Sequence, residues 1–199
     1  MKVIGLCGGS GSGKGTVASV FSEFDIPSID TDAVYHSLTA QKSPCLDALT
    51  DEFGDEILAS DGSLNRQKLS EIVFLGDNSE QKRRKLNQIT HKFVLEKTRK
   101  ILAEYRALGK KAALVDAPLL FESGFDKECD FVLSISAPED VRIARIQARD
   151  GIDEQRATAR VRGQKGDEFY RAASDAFIYA DGDEDQLFAK ALAAIGMDL

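Results

Sequence analysis

Residues 2–21 read KVIGLCGGSGSGKGTVASVF, and this stretch decides the fold. Val3, Ile4 and Leu6 make a short apolar run, the length of one buried strand. Gly8, Gly9, Gly11 and Gly13 interrupt it. From Thr16 the spacing predicts a helix with Val17, Val20, Phe21 and Phe24 as its apolar stripe. Strand, glycine loop, lysine and helix in that order is the layout of a phosphate-binding loop. The glycines let backbone N–H groups curl around an anion, and the helix N-terminus adds its dipole. Lys14 can then reach the outer phosphates of a nucleotide.

In the standard loop the residue after the lysine is Ser or Thr, whose hydroxyl binds Mg²⁺. Here it is Gly15, followed by Thr16. Adenylate-kinase-like loops also read GKGT, so Gly15 is compatible with a kinase. Mg²⁺ is then expected to be held by nucleotide oxygens, waters and nearby carboxylates.

A chain of 199 residues suits one α/β core with small insertions and can bury a real hydrophobic centre. No apolar run approaches a membrane span. Lys2 followed by VIGLC could suggest a lipoprotein signal, but the apolar stretch is too short and the glycine loop follows at once. Cys7, Cys45 and Cys129 have neither metal nor disulfide spacing, which fits a reducing cytoplasm and small buried side chains. A net charge of −7 argues against broad nucleic-acid binding. An acidic chain with an anionic ligand must gather its cations locally, so the arginine clusters matter.

Ile26–Asp30 reads as a second strand that runs into a helix from about Asp32. Helices are expected over about Cys45–Phe53, Gln67–Phe74 and Glu80–Leu108, with a turn at Asp61–Gly62. Ala112–Asp116 and Phe131–Ile135 are buried-strand signals. Strands alternating with helices imply a mostly parallel sheet covered on both faces, with ligands at the carboxyl ends of its strands. Gly8–Gly13, Asp30–Asp32 and Asp116 all fall at such ends.

Asp30 and Asp32, two apart, would share one side of an extended strand. Such a carboxylate could take a proton from an attacking hydroxyl or hold Mg²⁺ through water; the alternative is that Asp32 caps the next helix. Asp116 ends its strand as a Walker-B aspartate does, or as a simple turn former. Arg142, Arg145 and Arg149 share one face of an expected helix, and Arg156, Arg160, Arg162 and Lys165 follow. Arginines on a mobile flap would serve phosphoryl transfer; otherwise they are a solvated face paired with Asp150 and Glu154. The Lys82–Lys85 cluster reads as a solvated face. His36 and His91 lack the partner spacing of a zinc site.

Several stretches together resemble one family. GLCGGSGSGKGTVA (5–18), IDTDAVYH (29–36), LTDEFGDEIL (49–58), DGSLNRQKL (61–69), LNQITH (86–91), APLLFE (117–122) and RIQARD (145–150) followed by Gln164 are similar to the dephospho-coenzyme A kinases, in order, from about Val3 to about Gly182. The resemblance implies a three-layer α/β/α P-loop NTPase core with a parallel sheet, a helical substrate-binding insertion and a lid. It implies one kinase domain over 1–199, with a CoA-binding helical region at about 60–95 and a lid at about 142–170. The activity implied is ATP-dependent phosphorylation of the ribose 3′-hydroxyl of dephospho-CoA.

By matching motif positions, Gly9, Gly11, Ser12, Gly13, Lys14, Gly15 and Thr16 would hold the ATP phosphates, with Arg145 and Arg149 on the lid side. Asp32 would be the base beside Asp30, with Lys14 and Arg145 in the chemistry. His36, Arg66 and His91 would face the CoA moiety, and Pro118, Leu119, Leu120 and Glu122 would line the acceptor site. Mg²⁺ would meet Thr16, Asp30 and Asp116. Four positions depart from the family pattern: Gly15, Ser10 for a branched apolar residue, Lys92 for proline, and Ala180 for asparagine. The expected partners are small molecules only, for a cytoplasmic monomer that binds neither nucleic acid nor membrane. The competing readings are a nucleoside or nucleotide monophosphate kinase, and a regulatory protein that binds nucleotide without phosphorylating an acceptor.

Overall fold

Five short apolar runs become the strands β1 (Lys2–Cys7), β2 (Ser28–Asp30), β3 (Ala112–Asp116), β4 (Phe131–Ser136) and β5 (Ala176–Tyr179) of one sheet, ordered β2-β3-β1-β4-β5. The β1–β3, β1–β4 and β4–β5 pairs are parallel. The computed structural model describes residues 1–75, 78–180 and 184–196. Its helices are α1 (Lys14–Glu23), α2 (Thr31–Thr39), α3 (Pro44–Phe53), α4 (Arg66–Phe74), α5 (Ser79–Ala107), α6 (Leu120–Ser123), α7 (Glu139–Asp150), α8 (Glu154–Arg162), α9 (Asp167–Ala173) and α10 (Glu184–Ile195). The chain divides into two compact units, Met1–Ile29 with Tyr105–Leu199, and Asp30–Glu104.

The first unit holds the sheet. Alternation along β1 sends Ile4 and Leu6 to one face, where they join Val17 and Phe21 of α1, Leu114, Leu133, Ile135 and Ile178 of the neighbouring strands, and Leu187, Ala191 and Ile195 of α10. The opposite face of β1 meets α6 and the 3₁₀ turn Phe125–Glu128, through buried Leu120 and Phe125. The unit is thus three layers, α/β/α. After β1 the chain crosses toward β2, and after β3 it crosses the other way toward β4. The crevice at the carboxyl ends of β1 and β3 is therefore the switch point where ligands bind in open α/β sheets.

The second unit is helical. Cys45, Leu46 and Leu49 of α3, Leu69 and Val73 of α4, with Ile57 and Leu64, form its buried centre; Tyr35, Leu38, Phe53, Leu86, Ile89 and Phe93 pack around it. Its helix ends follow local chemistry. Ser43 Oγ accepts from Leu46 N–H at 3.1 Å ahead of Pro44, and α3 stops at Gly54. The Asp61–Gly62 turn brings Leu58 and Leu64 into an antiparallel bridge. The long helix runs through Lys92, as its sequence predicts.

The apolar stripe of α1 is shorter than its spacing predicts. Val17 and Phe21 are buried, but Phe24 is 42% exposed because the helix ends at Glu23 and the chain turns off through Asp25 in a left-handed conformation. The sequence reading does not predict strand β5, since AFIY is too short to show a period, nor the helix α10 after it. Asp181 and Gly182, the end of the family-like block, lie outside the described residues. Phe21→Ala is expected to cost about 3–5 kcal/mol in urea unfolding, whereas Phe24→Ala stays within roughly 1 kcal/mol of the parent.

Candidate active site

The loop from Gly8 to Gly13 leaves the end of β1 and enters α1 directly at Lys14. Gly13, at φ 101°, is the α1 N-cap and holds a left-handed backbone that disfavours any side chain. The Lys14 ammonium folds back on the loop and donates to the carbonyls of Gly8 (2.9 Å) and Gly9 (3.5 Å). Arg145 Nη1 donates to the Gly11 carbonyl at 3.1 Å. Ser12 is 1% exposed, and its Oγ has no hydrogen-bond partner among the described residues. Gly15 is exposed and a Cβ there would meet nothing within 4 Å.

Asp116 ends β3 with its backbone in register with Leu6, one residue before Cys7 and the loop. At the other edge of β1, toward β4, Cys7 Sγ lies 2.8 Å from Ser134 Oγ, which in turn hydrogen-bonds Ser174 Oγ. Burial outweighs that contact and pushes the Cys7 thiol up to about 11. Burial likewise raises Cys45 to about 11 and Cys129 to about 12, so these three free thiols are packing groups rather than nucleophiles.

The arginine row on α7 does not act as one face. Arg142 is buried (7% exposed): its Nε donates to the Ser10 carbonyl at 3.0 Å, and its Nη2 to Gln164 Oε1 at 2.9 Å. Arg145 reaches the loop. Arg149 turns instead to Asp150, at 2.7 and 3.0 Å, and Arg160 of α8 pairs with the same carboxylate. The two-bonded Arg149 grip, reinforced by Arg160, lowers Asp150 to about 2. Asp150 thus joins α7 to α8 through Arg160, with Arg149 paired to it from its own helix.

After β3, Pro118 and Leu119 are exposed, Leu120 is buried against the sheet, and Glu122 pairs with Lys165 at 2.8 Å. Lys165 also sits 3.7 Å above the Phe169 ring, which stacks edge-on against Phe121.

In the helical unit, β2 ends at Asp30 and Thr31 is already helical, so Asp30 and Asp32 do not line one side of a strand. Asp30, not Asp32, is the cap: its Oδ1 accepts from the amides of Asp32 (2.8 Å) and Ala33 (3.1 Å). Asp32 sits exposed in the first turn of α2, and His36 is exposed one turn on. Arg66 donates to Thr39 Oγ1 at 3.2 Å, and His91 is half-buried on α5. The residues missed by sequence reasoning are Arg142 as a buried loop contact and Gln164. The only sequence signal for the latter was its place after the RIQARD motif.

A glycine loop at the end of the central parallel strand, closed by a lysine at a helix N-terminus, defines a P-loop nucleotide-binding protein. The dephospho-CoA kinase family model matches residues 2–186. The dephospho-CoA kinase of Corynebacterium efficiens is 38% identical over 188 residues, covering 94% of this chain and 92% of that protein. Among solved structures, TT1252 from Thermus thermophilus superposes with a TM-score of 0.80 at 28% identity, covering 99% of this chain and 98% of that one. The dephospho-CoA kinase from Campylobacter jejuni gives 0.66 at 25% identity, covering 98% and 96%. The chain belongs to the dephospho-CoA kinase family.

Gly13→Ala should lose about 1–2 kcal/mol of stability because of its backbone conformation, while Gly15→Ser stays within about 0.5 kcal/mol, both read by urea unfolding. Asp150 titrates below the ordinary carboxylate range, so its ion pairs are complete above that range and are lost as pH falls through about 2. Carboxyl-carbon NMR should place its midpoint there, and Arg149→Ala should return it toward an ordinary aspartate.

Proposed function

We propose that this chain transfers the γ-phosphoryl group of ATP to the ribose 3′-hydroxyl of dephospho-CoA, giving coenzyme A and ADP. The observation that carries the reading is the gathering of Lys14, Arg142 and Arg145 on one glycine loop in a chain of net charge −7. Phosphoryl transfer asks for positioning and charge neutralisation more than for covalent chemistry. The loop amides and α1 N-terminus bind the donor phosphates, and Lys14 exchanges its Gly8 and Gly9 carbonyls for their oxygens. Arg145 stabilises charge as the bond from phosphorus to the β–γ bridging oxygen breaks. Asp32 accepts the proton of the 3′-hydroxyl as its oxygen bonds to phosphorus.

Asp30 holds the first turn of α2, and through the Asp32 amide it fixes the backbone that carries the base. Arg66, His36 and His91, on helices of the 30–104 unit, serve the CoA moiety, and Pro118–Glu122 serves the acceptor ribose. The region 60–95 is then the CoA-binding part and 142–170 the lid part of one kinase. Among the described residues no three His, Cys, Asp or Glu side chains group as a metal cage. Mg²⁺ usually takes one or two carboxylates together with substrate phosphates and water. Asp116 at the end of β3 and the Thr16 hydroxyl would hold it, and it would neutralise phosphate oxygens; Asp30 has already committed Oδ1 to two amides. No described helix is long and apolar enough to cross a membrane. A monomeric cytoplasmic enzyme with small-molecule partners alone completes the reading.

Offered ATP, Mg²⁺ and one acceptor at a time, the protein should release ADP with dephospho-CoA and not with AMP, UMP, CMP or uridine. A nucleotide as the preferred acceptor would replace the reading with a monophosphate kinase. Lys14→Ala should lose on the order of 10²–10³ in kcat/KM. Asp32→Asn should bind both substrates and turn over poorly, and parental turnover in that variant removes Asp32 from the mechanism.

A further inference from the structure

Ser10, at the tip of the glycine loop, is held at every polar group it owns. Its N–H donates to Gln164 Oε1 at 2.9 Å, its Oγ accepts from Gln164 Nε2 at 2.9 Å, and its carbonyl accepts from Arg142 Nε at 3.0 Å. Arg142 Nη2 closes the ring by donating to the same Gln164 Oε1, at 2.9 Å. The pair packs so tightly on the loop that a Cβ at Gly9 would fall 2.1 Å from Arg142 Nη2 and 2.9 Å from Gln164 Oε1. The two described acceptors of the buried guanidinium are neutral oxygens, so among the described residues no hydrogen-bonded carboxylate cancels its charge beside the loop.

We propose that Arg142 and Gln164 form a clamp on Ser10 that presets the phosphate loop for the donor nucleotide, which makes both of them positioning residues for the kinase reaction. A loop with four glycines in six residues has many conformations to lose when it closes on a triphosphate. Holding Ser10 on three sides removes most of that loss before the nucleotide arrives, and preorganisation of this kind appears as affinity. The Ser10 amide is taken by Gln164, so the amides from Gly11 onward, including those of the first turn of α1, are the ones that meet phosphate. Gln164 follows α8, so the segment assigned as the lid is tied to the loop by its own side chain. Ser10, which departs from the family pattern, supplies the hydroxyl that makes the Gln164 contact two-pronged.

The proposal rests on the kinase reading, but its test does not need the acceptor. Calorimetric titration with ATP should show Gln164→Leu binding at least about tenfold more weakly, since a hydrogen-bonded ring with a charged member is lost. Gln164→Glu keeps an oxygen for the Ser10 amide and for Arg142, and should recover affinity to within about threefold. Ser10→Ala removes one prong and should weaken ATP by a fewfold in the parent while adding little in the Gln164→Leu background. In the coupled assay, Gln164→Leu should raise the KM for ATP and leave that for dephospho-CoA within about twofold. If Gln164→Leu melts like the parent and binds ATP as tightly, the clamp is overturned. If Gln164→Leu does not fold, Ser10→Ala decides: unchanged ATP affinity overturns the clamp and weaker binding upholds it. Failure of the parent to phosphorylate dephospho-CoA would sink the kinase reading and leave these affinities still to judge the clamp.

Discussion

The loop from Gly8 to Gly13 has almost no side chains with which to pack, so its shape must be imposed from outside. Three contacts do this. Strand β1, central in the sheet, fixes where the loop begins, α1 fixes where it ends, and the Arg142–Gln164 ring holds the middle. The buried arginine is the costly member, because desolvating a guanidinium is tolerated only when its donors are satisfied. Here they meet carbonyl and amide oxygens, and the surviving positive charge lies where a polyphosphate would add negative charge. Under the clamp we propose, stability and ligand affinity draw on the same group, in a chain whose net charge of −7 would otherwise repel a polyphosphate.

The sheet converts this local arrangement into a site. Parallel strands place all their carboxyl ends along one edge, and the reversal of direction between β1 and β3 opens that edge. Asp116 reaches it because β3 pairs with β1 in a register that sets it opposite Leu6. The chemistry beneath the loop is quiet by comparison. Cys7 is buried, its thiol raised to about 11, and its Ser134 and Ser174 neighbours keep the polar atoms between β1 and β4 satisfied. A buried, protonated thiol there fills space without offering a competing nucleophile to the donor.

What the sequence made legible follows the length of each signal. The strands β1 and β3, the twenty-nine-residue helix α5 and the capped helix α3 carry periodicity or cap chemistry strong enough to place within a residue or two. The strand β5 has four residues, and the short helix α9 too few turns to show a stripe, so both depended on tertiary packing. The phosphate loop was readable because its glycines answer a local backbone demand. Arg142 was not: on the sequence it is one of three arginines at helical spacing, and only the fold buries it while turning Arg149 toward Asp150. Gln164 is a similar case, since its partner Ser10 lies 154 residues away and no local pattern connects them.

The aspartates at the start of α2 carry this lesson into the chemistry. Reading Asp30 and Asp32 as residues on an extended strand gave them equal standing, because a period of two puts them on one side. The helix begins at Thr31, and from that point their roles must differ. A capping carboxylate accepts amides with one oxygen and is fixed by them, which suits Asp30 to holding backbone in place. Asp32 lies one residue into the helix and is exposed, so the cap engages its backbone amide and not its carboxylate, and the two aspartates are not interchangeable.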